Sequence, residues 1–194
     1  MNVEVIGYLA AFCSIIWSLP QTVRSIRTKL LGDISPETTI IFLCSMIIST
    51  VFAFRIHSNP VILTNVIGIL IFIPLTFLRI QVDFKKNIKK IPIPLAITGT
   101  LIGIVPTDAL GYTAGAINWW SVIIQINRCY QTRSVDDISL MSINIRVLGL
   151  ILWTIYNYNI WIIPLLVSSI ISLFLGLILI FMKITYQKQN KNSN

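Results

Sequence analysis

Acidic residues are scarce in this chain. Seven aspartates and glutamates stand against fifteen lysines and arginines in 194 residues, and charged residues of both signs make up only 11%. A soluble domain averages about 25% charged residues, so a single water-facing domain is excluded. Histidine occurs once, at His57, and the three cysteines, Cys13, Cys44 and Cys129, show no CxxC spacing. These residues supply neither a metal-ligand set nor a disulfide framework. The cysteines read as small apolar packing residues and His57 as a solvated loop residue, so no metal and no cofactor are expected. A glycine-rich phosphate loop, paired catalytic carboxylates and a Ser-His-Asp set are also missing, which argues against an enzyme. No cleaved leader is expected either, because the first residues carry Glu4 and no basic run before an apolar stretch long enough to span a membrane.

What the chain has is apolar length. Hydrophobic residues reach 55%, the mean hydropathy is +0.82, and most segments are apolar on every side, as membrane spans are. Stretches suited to helices of roughly 17–25 residues fall at 5–24, 37–56, 60–80, 91–107, 109–127, 139–157 and 160–182. With the N-terminus outside, thirteen of the fifteen Lys and Arg lie in inner segments, leaving Arg55 outside and Arg146 within a span. The positive-inside rule therefore predicts an N-out, C-in integral membrane protein. That rule accounts for the net charge of +8, so nucleic acid is not expected as a partner. The Lys85-Lys86 and Lys89-Lys90 pairs read as topology signals that also attract anionic headgroups of the bilayer.

The chain also repeats itself. Gly7-Tyr8-Leu9-Ala10 returns as Gly111-Tyr112-Thr113-Ala114, an offset of 104 residues. The same offset matches Gln21 to Gln125, Arg24 to Arg128, Thr28 to Thr132, Asp33-Ile34-Ser35 to Asp137-Ile138-Ser139, and Pro60 to Pro164. One extra apolar stretch separates the copies. A three-span unit repeated around one linker span predicts an all-α membrane protein of 3+1+3 helices, two parallel three-helix bundles related by an axis along the membrane normal.

Leu19-Pro20-Gln21, followed by Arg24, Lys29 and Ile34-Ser35, resembles the PQ-loop motif of the SWEET and SemiSWEET superfamily. A proline within a helix removes one backbone hydrogen bond and hinges the chain, and Gln21 is suited to satisfy the freed group. Asp33 and Ser35 suit the N-cap of the second helix, with Pro36 in its first turn. Asn59-Pro60 through Asn65 to Gly68 is similar to the SemiSWEET third helix, and Leu152-Trp153-Thr154-Ile155-Tyr156 with Pro164 is similar to the late helices of SWEETs. The resemblance runs from Gly7 to Met182. It implies a first PQ-loop-type bundle over 1–82, a basic loop and linker helix over 83–107, a second bundle over 108–183 and a polar cytoplasmic tail over 184–194, disordered from Gln187 onward. It further implies a cell-membrane sugar transporter that works by alternating access, with Pro20 as a hinge. A homo-oligomer is compatible with this layout.

The second copy departs from the first. Ile124-Gln125 stands where the first has Pro20-Gln21, Ser169 where it has Asn65, and Trp153 where it has Ser49. The resemblance thus implies an asymmetric substrate site: Asn65 from one half, Trp153 and Ser169 from the other, with Asn118 and Trp119 beside them. Such a set suits a mono- or disaccharide, whose apolar ring face fits an indole and whose hydroxyls fit an amide. Each residue also has a plainer reading, Trp153 as an interfacial anchor and Asn65 as an interhelical tie.

Arg146 sits about two helical turns into its span and is expected to snorkel inward, to gate the inner side with Asp136 or Asp137, or to meet an anionic solute. All seven carboxylates, Glu4, Asp33, Glu37, Asp83, Asp108, Asp136 and Asp137, fall at loops or helix ends. A proton relay needs titratable groups inside the membrane, so uncoupled facilitated diffusion is the expected mode. Two alternatives share the layout: a PQ-loop transporter of an amino acid or vitamin, and a membrane cargo receptor that does not transport.

Overall fold

The structure, a computed structural model, describes residues 2–28, 36–81, 89, 91–132 and 140–192. These residues form seven α-helices and no strand: α1 Val3–Thr28, α2 Pro36–Arg55, α3 Asn59–Gln81, α4 Pro92–Ile104, α5 Thr107–Thr132, α6 Leu140–Ile160 and α7 Ile163–Asn192. The seven spans read from hydropathy are therefore found as helices. Within the described residues, Asn59–Leu78 and Ile163–Tyr186 are long and apolar enough to cross a bilayer unaided. Large apolar side chains face outward along the helices, among them Phe12, Leu70, Ile104, Phe174 and Phe181. Such a surface would drive aggregation in water and suits acyl chains.

Hydroxyls are hidden in a manner that fits this setting. Eight threonines, at 50, 64, 76, 98, 100, 113, 154 and 185, each donate to the carbonyl four residues earlier on the same helix. A hydroxyl satisfied by its own helix can face lipid without leaving an unpaired polar group.

Helix ends differ from the sequence reading in three places. The backbone of α1 stays helical through Pro20 and Gln21 to Thr28. The linker helix α4 is short at 13 residues, about 20 Å of rise against the roughly 30 Å of a hydrocarbon core. Helix α7 continues to Asn192, although a disordered tail was expected from Gln187; Lys and Gln are good helix formers, and extending an existing helix is cheap. Lys183 accordingly lies inside α7 with its side chain buried, not in an inner loop. The expected caps Asp33 and Ser35, the charges Lys29, Lys85, Lys86, Lys90 and Arg133, and Asp83, Asp136 and Asp137 lie outside the described residues.

The 104-residue register is visible in the backbone. His57 and Trp161 are the positive-φ residues of the described chain outside glycine, at 54° and 56°. They occupy equivalent places in the two copies. At the first corner, Ser58 N–H donates to Ala53 O at 3.1 Å and His57 N–H to Phe54 O at 3.2 Å, which is a Schellman closure of α2. At the second, Trp161 N–H donates to Tyr158 O at 3.3 Å. The next helices then start alike, with Ile62 N–H on Ser58 O and Leu166 N–H on Ile162 O, both at 3.0 Å. Glu4 and Asp108 fall in the first turns of α1 and α5, where a carboxylate complements the positive end of the helix dipole.

The described chain separates into two compact units that cut across the repeat order. One contains residues 18–117; the other contains residues 1–17 and 118–194. In the first unit, α2 turns a stripe of Cys44, Ser45, Ile48 and Phe52 inward, and Pro60 and Val61 of α3 are buried as well. Phe42 and Phe72 meet with ring centroids 4.9 Å apart. Ser45 Oγ donates to Ala114 O at 3.3 Å, tying α2 to the first part of α5. Arg55, at the end of α2, donates to Val105 O at 3.2 Å and Ile102 O at 2.7 Å, so a cation sits on the negative end of α4. In the second unit, Val122, Cys129, Leu179, Met182 and Tyr186 form a core between α5 and α7.

Candidate functional site

In the 18–117 unit, Pro60 starts α3 and places Asn65 just beyond the first turn, beside α2. Asn65 Nδ2 donates to Ser49 Oγ at 2.8 Å. An interhelical bond of this kind in a membrane contributes on the order of 0.6 kcal/mol. Asn65 is half-buried, and no donor among the described residues reaches its carbonyl oxygen.

The other unit holds a longer polar seam. Helix α6 presents Arg146, Gly149 and Trp153, spaced i, i+3 and i+7 and therefore on one face. The first part of α1 runs against that face in the opposite direction. Trp153 Nε1 donates to Ser14 Oγ at 2.9 Å, and Ser14 Oγ in turn donates to Ala10 O at 2.9 Å. A Cβ built on Gly149 would lie 3.0 Å from Cys13 Cβ, tighter than ordinary van der Waals contact, so glycine favours this close approach of the two helices. Two turns below Trp153, the Arg146 guanidinium carbon lies 4.8 Å from the centre of the Trp17 ring. That is a cation–π contact. Trp153 also meets Tyr156 edge to face at 5.7 Å.

The remaining candidates are placed as follows. Trp119 is half-buried and its Nε1 donates to Ser168 O of α7 at 3.2 Å. Asn118 is exposed beside it. Ser169 is buried, and its hydroxyl donates into its own helix at Leu166 O, 2.9 Å away. Pro20, Gln21 and Gln125 lie in helical backbone, with side chains outside the described residues. The structure thus groups Trp153, Arg146 and Trp119 in one unit and Asn65 with Ser49 in the other.

Ser14, Trp17 and Gly149 were not singled out by sequence. Their signals were a mid-helix hydroxyl, a tryptophan three residues before Pro20 and a glycine inside an apolar helix. Pro74 inside α3 was also passed over; it leaves the carbonyl of Leu70 without its helical donor. Among the described residues no three His, Cys, Asp or Glu side chains converge.

With this geometry in place, the chain can be set beside known proteins. Residues 3–62 match the PQ loop repeat family. An uncharacterized protein of Methanocaldococcus jannaschii is 28% identical over 86 residues, which is 44% of this chain and 92% of that protein. The sugar transporter SemiSWEET of Leptospira biflexa is 36% identical over 64 residues, covering 33% of this chain and 75% of the transporter. Relatives of half length are what a duplicated chain should meet. Among solved structures, a eukaryotic SWEET transporter superposes with a TM-score of 0.76 over 97% of this chain and 100% of its own, at 13% identity, which establishes the shared fold. The chain belongs to the SWEET and PQ-loop superfamily of integral membrane transporters.

Proposed function

We propose that the protein is a facilitative sugar carrier of the cell membrane, with the N-terminus outside and the C-terminus in the cytoplasm. The observation that carries this reading is the 36% identity to a SemiSWEET sugar transporter. The amide at Asn65 in one copy and the indole at Trp153 in the other add to it. Asn65 supplies a group that can both donate and accept, which suits sugar hydroxyls. Trp153 supplies an apolar surface for a pyranose ring. Alternating access through motion about Pro20 moves the solute without a coupling ion. Among the described residues, Glu4 and Asp108 are exposed at helix starts, positions that do not suit an intramembrane proton relay.

The test is uptake of labelled mono- and disaccharides into vesicles holding the purified chain, normalised to folded protein. Asn65→Ala and Trp153→Ala should each cut uptake about tenfold or more. Near-normal uptake per folded molecule in both single variants would remove these two residues from the solute path. Binding of sugar without passage would favour a receptor, and selective uptake of amino acids or vitamins would move the protein to another branch of PQ-loop transporters.

A further inference from the structure

Beside the core that joins α5 to α7, the described residues leave a groove of about 550 Å³, walled mostly by apolar side chains. That volume is in the range of sites that take up small molecules, roughly 300–1,000 Å³. The walls are open. Ile123 is 45% exposed, Tyr130 58% and Phe181 72%, and every lining residue belongs to the same compact unit.

The groove has a polarity along the membrane normal. One span separates α5 from α7, so the two helices run toward the same side of the bilayer. The apolar span of α7 ends at Tyr186. This puts the Tyr130 and Tyr186 end of the groove at headgroup level, where tyrosine rings collect, and the Ile123 and Ile178 end deep in hydrocarbon. From Ile178 to Tyr186 the helix rises about 12 Å, close to the roughly 15 Å of one leaflet's share of the hydrocarbon core.

Positive charge stands at the shallow end. Arg128 follows Asn127 in α5, and Lys188 and Lys191 follow Tyr186 in the last turns of α7. Past Asp108, neither helix carries an acid. A slot that is apolar in its depth and basic at its rim complements an amphiphile with a hydrocarbon tail and an anionic head. A neutral lipid would leave the cations unmatched. A second copy of this chain, related by an axis along the membrane normal, would bring its own cations to the same level and be repelled.

We propose that the groove between α5 and α7 is a binding site for an anionic phospholipid. One acyl chain lies against Ile123, Ile126, Ile178 and Phe181, and the phosphate sits at the level of Arg128, Lys188 and Lys191. The site is independent of which solute crosses.

Native mass spectrometry of the detergent-purified chain, offered phosphatidylglycerol and phosphatidylcholine with the same acyl chains, tests this. The wild type should retain phosphatidylglycerol with a preference of about tenfold or more, since each cation near a headgroup gives about fivefold. Lys188→Gln and Lys191→Gln should each lower that preference about fivefold. Ile123→Trp, which fills the slot from an exposed position, should lower retention of both lipids about tenfold while thermal unfolding stays near wild type. Phe181→Ala removes part of a wall and should act in the same direction; it carries the comparison should Ile123→Trp fail to fold. Phe174→Ala, at a similarly exposed position of α7 outside the lining, should leave retention unchanged. Equal retention of the two lipids by the wild type, or a Phe174→Ala as damaging as Phe181→Ala, would reduce the groove to ordinary bilayer contact and overturn the proposal. A dimer that persists with added lipid and is broken by Ile123→Trp would assign the groove to a second copy and overturn it as well.

Discussion

Replacing Gly149 by alanine is the most direct probe of the α1 and α6 seam. The added Cβ would sit 3.0 Å from Cys13 Cβ, while Ala10 O and Ser14 N stay at an ordinary 3.8 Å. Carbon atoms prefer separations of about 3.5–4.0 Å, so the opposing Cys13 Cβ must give by a few tenths of an ångström. That atom is rooted in the α1 backbone and cannot swing aside. The helices must part, at a cost of about 1–3 kcal/mol. The Trp153 to Ser14 bond, 2.9 Å long and one turn away, would stretch toward the limit of a hydrogen bond. If the seam is closed in only one transport state, each 1.4 kcal/mol shifts the balance of states about tenfold. The assay is thermal unfolding in detergent, with sugar flux alongside. Cys13→Gly removes the opposing Cβ, so Gly149→Ala should cost almost nothing in that background, giving a coupling energy of about 1 kcal/mol or more between the sites. Wild-type stability in Gly149→Ala, or an undiminished cost in the Cys13→Gly background, would refute the close-approach argument.

His57→Gly should leave the fold intact and raise its unfolding temperature slightly, since a left-handed residue other than glycine stores about 1 kcal/mol; His57→Val should lower it. Arg55→Ala should destabilise the protein by about 0.5–1 kcal/mol through the uncovered end of α4, with Arg55→Lys intermediate. Both are read from melting curves of purified protein, and a neutral Arg55→Ala would show that Val105 O and Ile102 O need no cation.

Much of the frame was legible in sequence because membranes impose simple rules. Apolar length gave seven helices, and the offset of 104 residues from Gly7 to Gly111 reappears in the paired corners at His57 and Trp161. Helix ends were less legible. Nothing in the polarity of Gln187 onward shows that α7 has already been nucleated by the long apolar run before it. The seam was the least legible part. Gly149 looks like a generic small residue until Cys13 stands opposite it, and Ser14 looks like one more back-bonded hydroxyl until Trp153 is found above it. Asn65 was readable either as a solute contact or as an interhelical tie; its bond to Ser49 supplies the tie and leaves its carbonyl oxygen open. Ser169 shows the reverse, since its position in the repeat was clear while its inward-turned hydroxyl was not.

The paired corners at His57 and Trp161 also bear on how such a chain diversifies after duplication. Their closure depends on main-chain bonds, so His57 at one corner and Trp161 at the other hold the same left-handed turn. A doubled gene built on such corners can let one copy drift in chemistry while the other keeps its original side chains.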